Sequence, residues 1–227
     1  MSGILVLLND CAPGKEELYE EWYQDEHLKE RLGVNGFAVA RRFEAIAAKR
    51  QYLTTYEVHS PDVLTSKEYL ARLADPSPLT TQIMTAGIKN MCRTACRRET
   101  VEGSIRGTIA VVATLPDRSS LTTLKGIAGH YTISTRLCHI ELWESAEPAG
   151  TISQTEENIR GPDEKIGACL ALEFLRIQPA LMAADSLKAS LSSADVGVYQ
   201  LMSYLRKDEV GITRNDGPLA GGSPYVS

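Results

Sequence analysis

The sequence predicts an α+β fold built from two successive β-α-β-β-α-β units whose four-stranded sheets pack face to face. Short apolar runs of strand length alternate with segments of helical periodicity along the chain. The order of elements over residues 1–103 returns over residues 107–207, a repeat of element order rather than of residue identity. The 227 residues, 43% hydrophobic and 23% charged, suffice for one large or two small domains with a sizeable core.

Gly3 to Leu8 is almost wholly apolar and ends at Asn9, Asp10, Pro13 and Gly14, which fits a buried strand and a turn. From Lys15 to about Arg31 helix formers dominate, and Leu18, Tyr19, Trp22 and Tyr23 recur at i, i+3 and i+4 on one apolar face, until Gly33 stops the helix. Phe37 to Ala45 and Gln51 to His59 read as strands, the second closed by Pro61. A helix over Ser66 to Leu73 precedes the turn-rich Asp75-Pro-Ser-Pro78, a helical piece surrounds Ile83 to Ile88, and Asn90 to Thr100 alternates as a fourth strand.

After a linker from Gly103 to Gly107 the pattern restarts with a strand over Thr108 to Leu115, a short helix over Ser119 to Ala128 and a strand over Ser134 to Glu144. A polar loop from Ala146 to Gly167 is long enough to be functional or mobile. A strand (Ala168 to Ile177), a helix (about Ala180 to Leu191) and a closing strand (Gly197 to Leu205) complete the second unit. The Gly- and Pro-rich segment 208–227 has little means of burying itself and is expected to form a flexible tail.

Several function classes are excluded early. The net charge of -5 offers no attraction to phosphate backbones or anionic membranes, so neither nucleic acid nor membrane is an expected partner. No apolar run approaches the ~20 residues of a membrane span, and MSGILVLLNDCAPG lacks the basic flank and length of a secretory signal; a cytoplasmic protein is expected. Five scattered cysteines suit a reducing compartment. Phosphate-binding glycine loops, a serine nucleophile elbow and kinase signatures are absent from the sequence.

A β-α-β-β-α-β unit makes a four-stranded antiparallel sheet with both helices on one face, the ferredoxin-like arrangement. Its bare face needs a partner, and the second unit supplies one, which predicts a small-molecule pocket between the sheets. A monomer or homodimer is expected.

The helix Glu20-Glu21-Trp22-Tyr23-Gln24-Asp25-Glu26-His27-Leu28, with Arg31, Gly36-Phe37, Ala40-Arg41-Arg42-Phe43 and Tyr52-Leu53-Thr54-Thr55-Tyr56-Glu57-Val58, resembles the EthD-like proteins of the dimeric α/β-barrel superfamily. The second half has no counterpart of Trp-Tyr-x-x-Glu-His. The resemblance implies the barrel fold, and a superfamily that includes lyases, isomerases, cofactor-free monooxygenases and haem enzymes.

Tyr19, Tyr23, His27 and Arg31 fall on one i, i+4 ridge, with Leu18, Trp22 and Glu26 on the next. An imidazole at the edge of an aromatic face exchanges protons near neutral pH, and a guanidinium one turn on stabilises an oxyanion. His27 is therefore the candidate acid/base, Arg31 the anion stabiliser and Glu26 the group that orients the imidazole or acts alone; capping of the helix C-terminus is the competing explanation for His27 and Arg31. Trp22, Tyr23, Tyr52 and Tyr56 are candidate substrate contacts, with His139 added because the second sheet should line the same space. Arg41 and Arg42 lie on opposite strand faces and suggest surface ion pairs. Four scattered histidines and an i, i+4 pair, Cys92 and Cys96, make no recognisable metal set, so no metal or cofactor is expected. The function these residues suggest is cofactor-independent proton transfer of lyase or isomerase type on a carbonyl, lactone or aromatic metabolite. The alternatives are a non-catalytic binding protein for a hydrophobic metabolite and a cofactor-free monooxygenase.

Overall fold

The computed structural model describes residues 2–146 and 163–211. The strands are β1 (Gly3–Cys11), β2 (Phe37–Ala47), β3 (Tyr52–Val58), β4 (Ile88–Glu102), β5 (Ile109–Leu115), β6 (Leu137–Ser145), β7 (Ala168–Phe174) and β8 (Asp195–Arg206). The helices are α1 (Glu16–Glu21), which runs through a π-helical stretch (Trp22–His27) into α2 (Leu28–Gly33), then α3 (Lys67–Ala74), α4 (Pro78–Ala86), α5 (Leu121–Ala128) and α6 (Ile177–Ser190).

All eight strands pair antiparallel in one closed barrel, ordered β1-β3-β2-β8-β5-β7-β6-β4. The first four strands thus lie β4-β1-β3-β2 and the last four β8-β5-β7-β6. Two seams join them: β2 to β8, with Ala40 opposite Leu205, and β4 to β6, with Cys96 opposite Ser145. The α+β class is as the sequence predicts, but the two sheets meet edge to edge instead of stacking as separate layers.

The closure settles what lies inside. Every strand sends residues inward, Ile4, Val6, Leu8, Phe43, Leu53, Cys92, Cys96, Ala110, Val112, Trp143, Cys169, Ala171 and Tyr199 among them, and Ile166 joins this cluster. An eight-stranded barrel is just wide enough for its own side chains, so this interior is packed core. The outward face of β1 to β4 carries Leu5, Leu7, Tyr56 and Ala95 against α1 to α4, and that of β5 to β8 carries Val111, Leu142, Leu172 and Val198 against α5 and α6. Most of the strand residues are consequently buried on both faces, while β8 turns Gln200, Met202 and Tyr204 to solvent. Arg41 and Arg42 show the result: expected at the surface, they are 3% and 2% exposed, one turned into the barrel toward Glu173 and the other into the helix layer toward Glu20.

One helix differs from the expectation in extent. The Asp75-Pro-Ser-Pro78 turn ends in a helix start: Ser77 accepts the Thr80 N–H at 2.9 Å as N-cap and Pro78 occupies the first turn, where a missing N–H costs nothing. Of the expected loop 146–167, residues 147–162 lie outside the described residues, while Glu164 pairs with Cys92 and the Ile166 N–H donates to Thr94 at 2.9 Å. Of the expected tail, 212–227 lie outside too; just before it the Lys207 ammonium donates to the Val34 carbonyl at 2.7 Å. Among the described residues no helix is long and apolar enough to cross a membrane.

Candidate active site

The first helix does not keep α-helical spacing where its sequence is most aromatic. Side chains five apart point about 140° away from each other on an α-helix, but the wider π-stretch closes that angle. The Trp22 indole therefore lies on the His27 imidazole, ring centroids 3.9 Å apart and planes at 31°. Tyr23 meets the same imidazole edge-on at 5.4 Å, and Tyr56, from β3, at 6.4 Å. His27 is 3% exposed.

These rings wall a closed cavity between the helices and the outer face of the sheet, not between the sheets. Leu5 and Leu7 floor it from β1; Trp22, Tyr23, His27 and Arg31 come from the first helix, Tyr69 from α3, Met84 from α4, and Arg93 from β4. Its ≈ 10 Å³ is about what one water needs. A second cavity of ≈ 10 Å³, lined by Glu30, Arg72 and Thr80 among others, shares the Arg31 and Met84 walls. Arg93 donates to the Tyr69 hydroxyl at 2.7 Å, and the Arg31 guanidinium stands 5.4 Å from the centre of the Tyr69 ring.

Tyr56 is buried, and its hydroxyl has no hydrogen-bond partner among the described residues. Burial, with Tyr23 beside it, pushes the phenol well above its ordinary pKa, so it stays neutral. An unsatisfied buried hydroxyl costs about 1–3 kcal/mol. Tyr56→Phe is accordingly expected to raise the melting temperature by about 2–12 °C in a domain of this size while weakening any ligand that bonds the hydroxyl. A fall in melting temperature would mean the hydroxyl already has a partner.

The remaining predicted residues are placed differently. Glu26 does not line the cavity; its carboxylate accepts from the hydroxyls of Ser77 and, at 2.6 Å, Thr80. Tyr52 stacks on Tyr19 at 4.9 Å, away from His27, and burial, with Glu20 nearby, pushes its phenol to about 12. Arg42 closes this neighbouring group: its guanidinium sits 3.8 Å from the Tyr23 ring centre and pairs with both Glu20 oxygens at 2.7 and 2.9 Å. His139 does face the barrel interior, but there it is held between the Gly103 carbonyl at 2.8 Å and Glu141 at 2.7 Å. The expectation that His139 and His27 share one space is therefore corrected, because the closed sheet lies between the two faces. Arg93, Tyr69 and Met84 were not anticipated from the sequence. Strand parity would have found Arg93, which alternates with the inward Cys92 and Cys96.

His139 belongs to an ionic cluster that fills one end of the barrel. Arg98 pairs with Glu141 at 2.6 Å and Glu57 at 3.1 Å, Arg106 with Glu57 at 2.8 Å and Glu173 at 2.7 Å, and Arg41 with Glu173 at 2.5 Å. Each carboxylate here has cationic partners, as buried charge requires. Among the described residues no group of three or more His, Cys, Asp or Glu is arranged to hold a metal ion.

No protein-family model matches the chain, and no curated protein matches it in sequence. Solved structures do match. An anthrone oxidase-like protein superposes with a TM-score of 0.59 at 10% identity, over 92% of this chain and 94% of the other. A protein described as a monooxygenase from Fusobacterium nucleatum subsp. nucleatum superposes with a TM-score of 0.53 at 9% identity, over 91% and 94%. The likeness shows a shared ferredoxin-like α+β barrel fold and does not single out the EthD-like proteins within it.

Proposed function

We propose that the chain is a cofactor-independent oxygenase acting on an electron-rich aromatic with an activated methylene or phenol, such as an anthrone. The observation that carries this reading is a buried imidazole, His27, clamped by aromatic rings and joined in one cavity by Arg31 and by the Tyr56 hydroxyl, which has no partner among the described residues. The names of the two structural neighbours point to the same chemistry on the same fold.

His27 takes a proton from the substrate carbon, and Arg31 and Tyr56 hold the enolate oxygen so formed. The enolate passes one electron to O2, and the resulting radical and superoxide join in a new C–O bond. The imidazolium returns its proton to the outer oxygen, giving a hydroperoxide. Loss of the second C–H proton with cleavage of the O–O bond leaves a ketone and water. All four electrons that O2 accepts come from the substrate, which goes from CH2 to C=O. At ≈ 10 Å³ each, this cavity and its neighbour across the Met84 wall are too small for an anthrone as they stand, so turnover on this reading requires the helix layer to open away from the sheet.

Proton-transfer chemistry of lyase or isomerase type uses the same first step and is the second reading, favoured by the same imidazole. An oxygen electrode separates the two. With anthrone supplied, one O2 is expected to disappear for each ketone formed; substrate turnover without oxygen uptake would replace oxygenation by isomerisation or elimination, and substrate recovered unchanged would leave a carrier.

A further inference from the structure

The Trp22 indole does more than pack against His27, because its other edge is fixed by a directed chain of hydrogen bonds. The indole N–H donates to the Thr80 hydroxyl at 2.8 Å, and that hydroxyl, having one proton, donates it to the Glu26 carboxylate at 2.6 Å. Ser77 donates to the same Glu26 oxygen, and its own oxygen is fixed by the Thr80 N–H at 2.9 Å. The chain runs from the first helix to the start of α4 and back, and ends on a formal charge. Trp22 and Thr80 are 1% and 5% exposed, so water does not compete for these bonds.

We propose that Thr80 and Glu26 are positioning residues that set the plane of the His27 imidazole through Trp22. The π-stretch gives Trp22 and His27 a shared face, but stacking by itself does not fix the indole against sliding over the imidazole. The bond from the indole N–H to Thr80 removes that freedom at the Trp22 end. The Glu26 carboxylate keeps the Thr80 proton pointing away from the indole, so that the Thr80 oxygen offers its lone pair to the N–H. Glu26, which the sequence predicts beside the imidazole, acts on it from the far side of a tryptophan and a threonine. The catalytic consequence rests on the oxygenase reading above; the geometric one does not.

Thr80→Val keeps size and removes the hydroxyl, whereas Thr80→Ser keeps the hydroxyl. Proton NMR of the His27 ring reads the outcome directly, since an imidazole lying on an indole is shifted upfield by the ring current. In Thr80→Val the His27 ring protons are expected to move downfield and the Trp22 indole N–H to exchange faster with solvent, with both signals near wild type in Thr80→Ser. On the oxygen-uptake assay Thr80→Val should lower kcat about 10–100-fold with KM changed less than about twofold. If Thr80→Val does not fold, Glu26→Ala is read instead and should shift the His27 ring protons in the same direction. Unchanged His27 resonances in whichever variant folds, or equal losses in Thr80→Val and Thr80→Ser, overturn the proposal. An enzyme that takes up no oxygen while the NMR pattern appears as described removes the oxygenase reading and leaves the relay standing.

Discussion

Glu141→Ala is expected to destabilise the chain by about 3–5 kcal/mol, because it strips a buried carboxylate from cations that stay behind. Glu141 is 1% exposed and accepts from Arg98 at 2.6 and 3.0 Å, from the Trp143 indole at 2.7 Å and from His139 at 2.7 Å. Without it two strands' worth of donors face a dry interior. For a chain of this length the loss corresponds to a melting temperature lower by about 6–20 °C, measured by circular dichroism. Asp208→Ala, which removes one half of an exposed pair with Arg206, serves as the control and should melt with wild type. If Glu141→Ala melted there too, the barrel would not depend on its interior charges.

The same residue fixes a pH dependence. Burial raises the Glu141 pKa, but hydrogen bonds from His139 and Arg98 and the charges of Arg106 and Arg98 outweigh it and bring the value down to about 2. Glu173, buried between Arg41 and Arg106, is lowered as well. A folded-state pKa below the unfolded one of about 4.3 means that the stabilisation is complete above that value and is lost as pH falls toward 2. Unfolding by acid should therefore run through this window, and Glu141→Ala should flatten the wild-type slope there.

His27→Ala is the second large effect, a loss of about 10²–10⁴-fold in kcat for oxygen uptake, the range that a positioned general base supplies. The fold should survive, since the α1 to α4 layer keeps Tyr19, Leu32, Phe37 and Leu64 as its buried centre. Near-ultraviolet circular dichroism checks this, with some change expected from the Trp22 stack. Full turnover in a folded His27→Ala protein would move the chemistry away from this cavity. Its partner in the mechanism, Arg31, differs in kind, because an arginine that holds an enolate oxygen affects the rate without taking a proton.

Element order, the helix carrying the aromatic motif and the burial of its apolar face were all readable in the sequence, because period and punctuation are local properties. Three features were not, and each depends on something outside the local window. Trp22 and His27 stand on different ridges of any α-helix drawn from the sequence, and only the π-stretch brings them together. Pro78 reads as the end of a turn until the Ser77 cap shows it to be the first residue of a helix. Arg41 and Arg42 look like surface residues because alternation implies one wet face, whereas the middle of β2 in this closed barrel is covered on both sides. The location of the cavity follows from the last point: once the inner space is filled by side chains, the layer beneath the helices holds the void.

The two seams of the barrel also govern how the molecule can be made. Val39 pairs with Arg206, near opposite ends of the described chain, so the wall cannot close until the final strand arrives. Until β6 and β8 form, the first four strands leave the edges of β4 and β2 unpaired, and the apolar row of Ile4, Val6, Leu8, Phe43 and Leu53 open to water. Such non-local closure slows folding and leaves strand edges available to other chains. The four strands that form the second wall are therefore the first half's own chaperone: they occupy the sites at which nascent copies would otherwise adhere.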